Sequence, residues 1–293
     1  MTRRQLGSWL LVLLGFTPGI WHPAPSTQHP APQRIISLVP SVTEMLFAIG
    51  AGDQVVGVSS YDHYPPAVES RPKVGALVDP DFERMISLKP DLVVVYGTQN
   101  DLVHRLEQVH VPMFPYEHAG LADITTTITA LGERVGHVAE ARREVDRIQR
   151  TLDDVRRAVA GRPRPRTAIV IGRELGTLRG IYVSGGIGFM HDMLEIAGGT
   201  DVFGDVKRQS LQATTEVLLA RAPEVILETY SSAGWTPARL VQERAVWQAL
   251  PTLPAVRTNR VYILTDEMLL VPGPRVADAV RVLAKTLHPE AMK

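Results

Sequence analysis

Two glutamates stand at matching places in the two halves of this chain. Glu83 opens the segment Glu83-Arg-Met-Ile-Ser-Leu-Lys-Pro90-Asp-Leu-Val-Val-Val, and Glu216 opens Glu216-Val-Leu-Leu-Ala-Arg-Ala-Pro223-Glu-Val-Ile-Leu. Each runs through a short apolar turn to a proline seven positions on, then to an acidic residue and an apolar strand. A single carboxylate in a first helical turn ordinarily complements the helix dipole. A matched pair suggests more. If the halves are related by a pseudo-two-fold, each presents one carboxylate on a common rim. A two-fold partner can then meet them with paired arginines through charge-assisted contacts.

Other groups that could do chemistry are weaker signals. Ser184-Gly-Gly-Ile-Gly188 lies between a strand and a helix, as a phosphate loop would, but His191 stands where a dinucleotide motif needs its third glycine. The plainer reading is a turn where backbone, ligand or helix approaches closely. His63, His118, His191 and Asp266 fall near loops or strand ends and are metal-ligating types. They are dispersed, with no pair at ligand spacing, so no metal is expected. Tyr61 and Tyr96 follow strands, where open α/β sheets bind ligands. Their rings suit a flat, largely apolar ligand, and they suit ordinary half-buried packing equally well. No zinc-protease, nucleophile-elbow or P-loop motif is present, and no enzymatic activity is expected; an α/β enzyme of nucleotide or sugar metabolism is the alternative from another class.

Composition narrows the function further. With 31 basic and 31 acidic residues, the chain lacks the basic surplus of a nucleic-acid binder. Cysteine is absent, which excludes disulfides, thiolate metal sites and a lipid-modified cysteine anchor. Arg3 and Arg4 precede the apolar run Trp9–Phe16, which reads as an export signal and is shorter than the roughly 20 residues a spanning helix needs. An uncleaved anchor is the alternative reading. The Pro-rich stretch 21–33 completes a signal-and-linker region, 1–33.

The elements that must position these residues begin at Arg34. Strands are predicted at Ile35–Val39, Val55–Val58, Leu92–Tyr96 and Val111–Pro115, alternating with helices. Ser41 and Thr43 offer caps for the first helix, and Asp79-Pro80 offers a cap and first-turn proline for the helix carrying Glu83. Alternation of this kind implies parallel βαβ units. Val138, Val145, Leu152 and Val159 then recur every seven residues along a charged helix that ends at Gly161. Such a helix spans roughly 30–35 Å. Its stripe suits a coiled coil, but lasts only about three heptads, so a helix lying along its own lobes is preferred. The plan then restarts: a strand at Thr167–Ile171, a helix to Ala197, the second glutamate segment, a strand at Arg260–Leu264, and a closing helix with Val276, Val280, Leu283 and Leu287 on one face. The expectation is an N-terminal lobe at 34–122, a linking helix region at 123–162 and a C-terminal lobe at 163–293.

Three segments carry a family resemblance: Arg34-Ile-Ile-Ser-Leu-Val-Pro-Ser-Val-Thr-Glu44, Val56-Gly-Val-Ser-Ser-Tyr-Asp-His-Tyr-Pro-Pro66 and Leu88-Lys-Pro-Asp-Leu-Val93. With Gly185–Phe203 and the second glutamate segment, they resemble the periplasmic cobalamin (vitamin B12)-binding proteins of ABC importers, within the helical-backbone class of solute-binding proteins. That resemblance implies two Rossmann-like lobes, each a mostly parallel sheet with flanking helices, joined by one long rigid α-helix. The ligand is held between the lobes. It implies that Glu83 and Glu216 dock onto arginines of an ABC permease dimer with its ATPase subunits, and that the exported, monomeric protein works in the periplasm. It places Tyr61 in the ligand pocket. Positions that are aromatic in the best-known cobalamin binder fall on Leu77, Ser210 and Met268. With Pro40, Tyr96 and Gly186, these complete the expected ligand-binding set. Haem binders of the class often carry a tyrosine just before the first docking glutamate, whereas Gly75–Phe82 has none. Ferric siderophores and haem remain the alternative ligands.

Overall fold

Two sheets divide the strands of this chain between its halves. The computed structural model describes residues 30–117 and 120–292. The export-type run, most of the Pro-rich stretch and His118 lie outside the described residues. The first half contains β1 (Ile35–Ser37), α1 (Pro40–Ala48), β2 (Val55–Val58), α2 (Phe82–Ser87), β3 (Leu92–Tyr96), α3 (Asn100–Gln108) and β4 (Met113–Tyr116). Its sheet has the order β2-β1-β3-β4 and every pairing is parallel. The strands read as unbroken apolar runs, as expected where helices cover both faces.

Two helices follow, α4 (Leu121–Val135) and α5 (Val138–Val159). The second half contains β5 (Arg166–Gly172), β6 (Ile181–Ser184), α6 (Phe189–Ile196), β7 (Thr200–Asp201), β8 (Ser210–Ala213), α7 (Thr215–Arg221), β9 (Val225–Thr229), α8 (Pro237–Val246), α9 (Pro254–Arg257), β10 (Val261–Leu264) and α10 (Val276–Leu287). Its sheet runs β10-β9-β5-β6-β8, with β7 also on β5. The β10–β9, β9–β5 and β5–β7 pairs are parallel, and β6 and β8 add an antiparallel margin.

The expected α/β fold with two mostly parallel sheets is present, with two local corrections. The helix carrying Glu83 is capped by Asp81, not Asp79: the Asp81 Oδ1 accepts the Arg84 N–H at 3.0 Å. Asp79 and Pro80 belong to a tight loop instead. There the Ala76 N–H donates to the Asp79 carbonyl, and Gly75 pairs with Pro80. Gly75 adopts φ +88°, and a Cβ there would strike the Asp79 carbonyl oxygen. In α1, Pro40 is the first helical residue, so Ser41 and Thr43 lie inside the helix and cap nothing. The Thr43 hydroxyl turns back to Ser37 Oγ at 2.8 Å.

The segment before the long helix is itself a helix, although it carries the β-branched run Ile124-Thr-Thr-Thr-Ile128. Such residues lower helix propensity. Here burial overrides it: Leu121, Ile124, Ile128, Leu131 and Val135 lie on one face and are all buried. The long helix, about 33 Å at 1.5 Å per residue, turns most of its stripe into the molecule. Its Ala141, Ile148, Leu152, Val155 and Val159 are buried, and it packs on α4, α10, α1 and α6. The repeat from Val145 to Val159 is therefore spent on the chain's own helices, while Val138 at its start stays exposed.

One apolar cluster runs continuously from the first half to the second. It joins Ile35 and Val94 of the first sheet to Ile169 and Leu227 of the second through α1, α4, α5, α6 and α10. Separate clusters cover the outer faces of each sheet. The halves therefore share a helical layer.

Candidate ligand cleft

In a parallel sheet, a crevice opens where neighbouring strands send their chains in opposite directions, at their carboxyl ends. Here that point lies between β1 and β3 in the first sheet and between β5 and β9 in the second. Pro40 follows β1, Tyr96 ends β3, and Tyr230 follows β9. The loops beyond these ends face one another. His63 and Tyr64 of the first half and Ser232, Ala233, Thr265, Asp266, Glu267 and Arg275 of the second line an open cavity of about 550 Å³. This cavity is a cleft between the two halves.

Tyr64 is the aromatic residue on its lining, and other rings lie at or beyond nearby strand ends. Tyr61 and Tyr64 are exposed in the loop after β2, at 65% and 43%. Tyr96 is half-buried and meets Tyr116 edge-on, with ring centroids 5.9 Å apart. In the second half, just past β9, Tyr230 packs on Trp235 with centroids 4.6 Å apart. The sequence reading missed Tyr230 and Trp235, yet the repeat points to Tyr230. Both copies of the glutamate segment run through an apolar strand to a tyrosine at or just past its end.

Tyr230 is anchored from below. Its hydroxyl donates to Glu228 Oε1 at 2.5 Å, and the Trp247 indole N–H donates to Glu228 Oε2 at 2.9 Å. Arg173 lies within 2.7 Å of Glu228 and 3.0 Å of Glu243, and all three are buried. Burial and the adjacent Glu228 push the Tyr230 hydroxyl well above its usual range, so it stays a donor. A buried ion group left with one partner missing is costly, so this cluster holds the ring in one place.

The other expected site residues take varied positions. Leu77 is half-buried and lines a shallow cavity of about 530 Å³ with Thr98, Gln99 and Arg105, and its carbonyl accepts from the Gln99 side chain at 2.6 Å. Met268 is half-buried beside the cleft loop, packed on the central cluster. Ser210 is exposed at the start of the margin strand β8, opposite Ser184. Gly186 is buried by its own chain. Its N–H donates to the Val206 carbonyl at 2.8 Å, and a Cβ there would strike the Gly204 carbonyl. The glycine segment thus serves close approach of the 204–209 loop, which leaves Gly186 no surface for a ligand.

Glu83 and Glu216 occupy the same helical position, the second residue after the cap. Each helix leads within four residues into a strand, β3 or β9, and runs antiparallel to it. Each helix start therefore lies at the carboxyl edge of its sheet, the edge that borders the cleft. Glu83 is 90% exposed, with Arg105 Nη2 at 3.6 Å. Glu216 is fully exposed, and the Thr214 hydroxyl and backbone hold its carboxyl below the usual range.

The dispersed metal-type residues do not converge. His63 faces Glu69 at 3.7 Å, His191 pairs with Asp201 at 3.1 Å, and Asp266 caps the turn at Met268. Among the described residues no group of three metal-ligating side chains occurs, and no helix is long and apolar enough to cross a membrane.

A sequence profile of periplasmic binding proteins matches residues 35–268. The chain belongs to that family. A two-lobed binding protein of this kind accounts for a cleft at facing sheet edges. The chain is 28% identical over 267 residues to an uncharacterised ABC transporter substrate-binding lipoprotein of Bacillus subtilis, covering 89% of this chain and 82% of that one. It is similar to the crystal structure of the periplasmic vitamin B12 binding protein of Vibrio cholerae, at 25% identity and a TM-score of 0.74, covering 90% of this chain and 99% of that one. The apo periplasmic haem-binding protein of Roseiflexus has the same fold, at 24% identity and a TM-score of 0.73, covering 88% and 99%.

Proposed function

We propose that this binding protein is the exported, periplasmic component of an ABC importer and captures cobalamin or a related corrinoid in the cleft. The supporting observation is a cleft lined from both halves, by His63 and Tyr64 on one side and Ser232, Ala233, Asp266 and Glu267 on the other, with Tyr61, Tyr96, Tyr230 and Trp235 at or beyond the ends of β2, β3 and β9. Such walls suit a broad macrocycle. The charge of the cleft supports the same choice. Its cation, Arg275, is already engaged by Glu44, at 2.6 Å and 2.9 Å. Asp266 and Glu267 remain as carboxylates on the lining. They accept hydrogen bonds from the amide side chains of a corrinoid and repel the carboxylates of haem or an anionic siderophore. A ferric chelate is the second reading, favoured by His63 and Tyr64, both iron-ligating types, on one wall. Glu83 and Glu216, exposed at the cleft-bordering sheet edges, are proposed to meet arginines of the permease dimer.

Spectrophotometric titration of the purified protein with cyanocobalamin, haemin and a ferric catecholate siderophore tests this. Cyanocobalamin is expected to bind in the micromolar range or tighter, and Tyr230→Ala to weaken it at least about tenfold, as loss of a hot-spot ring does. Haemin binding without cyanocobalamin binding would replace the corrinoid with the second reading.

A further inference from the structure

Arg275 does more than line the cleft. It belongs to the second half, immediately before α10, yet its contacts reach back into the first half. Its Nε and Nη2 form two parallel bonds to Glu44 Oε2 and Oε1 of α1, at 2.9 Å and 2.6 Å, across 231 residues of sequence. The Glu44 side chain is 4% exposed and the Arg275 side chain 18%. The same guanidinium lies 4.0 Å from the centre of the Tyr64 ring, on the loop after β2. The long helix also takes part: Arg147 Nη2 donates to the Pro274 carbonyl at 2.8 Å. Gly273 leaves room for the Glu44 carboxylate, since a Cβ there would lie 3.2 Å from Glu44 Oε2.

We infer that Arg275 is a positioning residue that ties the Tyr61–Pro65 loop and α1 to the second half, and so sets the width of the cleft. The argument is geometric. A planar fork bound at two points fixes the angle between the groups it joins as well as their distance. The ring beneath the same fork belongs to the loop that forms one cleft wall. The shared apolar cluster holds the helical layer together, but apolar packing is non-directional and does not orient that loop. The inference depends on the binding-cleft reading only for its consequence in affinity, because the geometry can be measured without ligand.

The absence of native cysteine makes the test clean. Spin labels at Tyr61→Cys, on the loop, and Val241→Cys, on the second half, report the distance across the cleft by pulsed electron resonance. Both positions are exposed, at 65% and 59%. The otherwise native chain is expected to give one narrow distance. Arg275→Gln, Glu44→Gln and the double variant are each expected to broaden and shift it. The double variant is decisive, because it removes both charges and leaves neither buried alone. An unchanged narrow distance in the double variant, with native circular dichroism, would overturn the inference. Broadening in the single variants alone would also overturn it, by assigning the effect to an unpaired buried charge.

Discussion

Asp62 is a carboxylic acid in an unfavourable place. It is 1% exposed, on the same loop as Tyr61 and Tyr64. Burial lifts its carboxyl to about 7, against the opposing Thr43 hydroxyl, Ser59 N–H and Lys73. Between the ordinary carboxylate range and about pH 7, the folded chain keeps this proton and the unfolded chain does not. Stability contributed by this group therefore falls as pH rises through that window and levels off above it. Asp62→Asn cannot ionise. Its advantage over the native chain is expected to grow from pH 4 to about 7, to at most about 4 kcal/mol, and to stay flat beyond. Urea midpoints across that pH range check this, and a pH-independent difference would show that Asp62 is ionised throughout. The Glu83 and Glu216 side chains are different: both are exposed, with Arg105 3.6 Å from Glu83 and the Thr214 hydroxyl beside Glu216.

The α4 helix shows packing overruling local preference. Its threonine-rich sequence gives no helix signal by propensity, and the evidence lies in the spacing of Leu121, Ile124, Ile128, Leu131 and Val135. The helix start is held from two sides. The Gly120 N–H donates to Asp123 Oδ2 at 2.7 Å, and the Leu121 N–H donates to Asp192 Oδ2, on α6, at 2.8 Å. Ile128 is fully buried in the central cluster, so Ile128→Ala is expected to cost about 2–5 kcal/mol, whereas Thr126→Ala on the exposed face is expected to be near neutral. Denaturant unfolding measures both. A small effect at Ile128 would mean that the shared layer can collapse around the loss.

The shared central cluster gives the molecule its functional character. Because α1, α4, α5, α6 and α10 bury side chains against both sheets, closing or opening the cleft would shear packed helices. A cleft built this way is largely preformed, which lowers the ordering cost of capture. Separating the halves then needs an external agent, and the proposed docking of Glu83 and Glu216 on a permease would supply it. Glu83→Arg combined with Glu216→Arg is expected to abolish cellular uptake of the ligand while leaving its titration curve unchanged. Loss of binding as well would remove the docking role and place the glutamates in the ligand site.

Strand and helix types, the matched glutamates and the apolar stripe of the long helix were legible in the sequence. Each is a local pattern: a run of Val and Ile, a carboxylate at a fixed distance from a proline, a residue every third or fourth position. Even Tyr230 was readable as an echo of Tyr96. The residues that meet across the cleft were not readable. Glu44 and Arg275 are far apart in the chain and stand in unrelated local patterns, and only the packing of α1 beside the Pro272–Arg275 turn makes them a pair. Gly186 was misjudged for the same reason, since the 204–209 loop that buries it is distant in sequence. Sequence by itself determined most of the elements and the carboxylates they would present, because short-range sterics and periodicity are written in neighbouring residues, while the margin strand β8 came only from sheet pairing. Which side chains share a wall of the cleft, and which are spent holding that wall in place, only the tertiary structure decided.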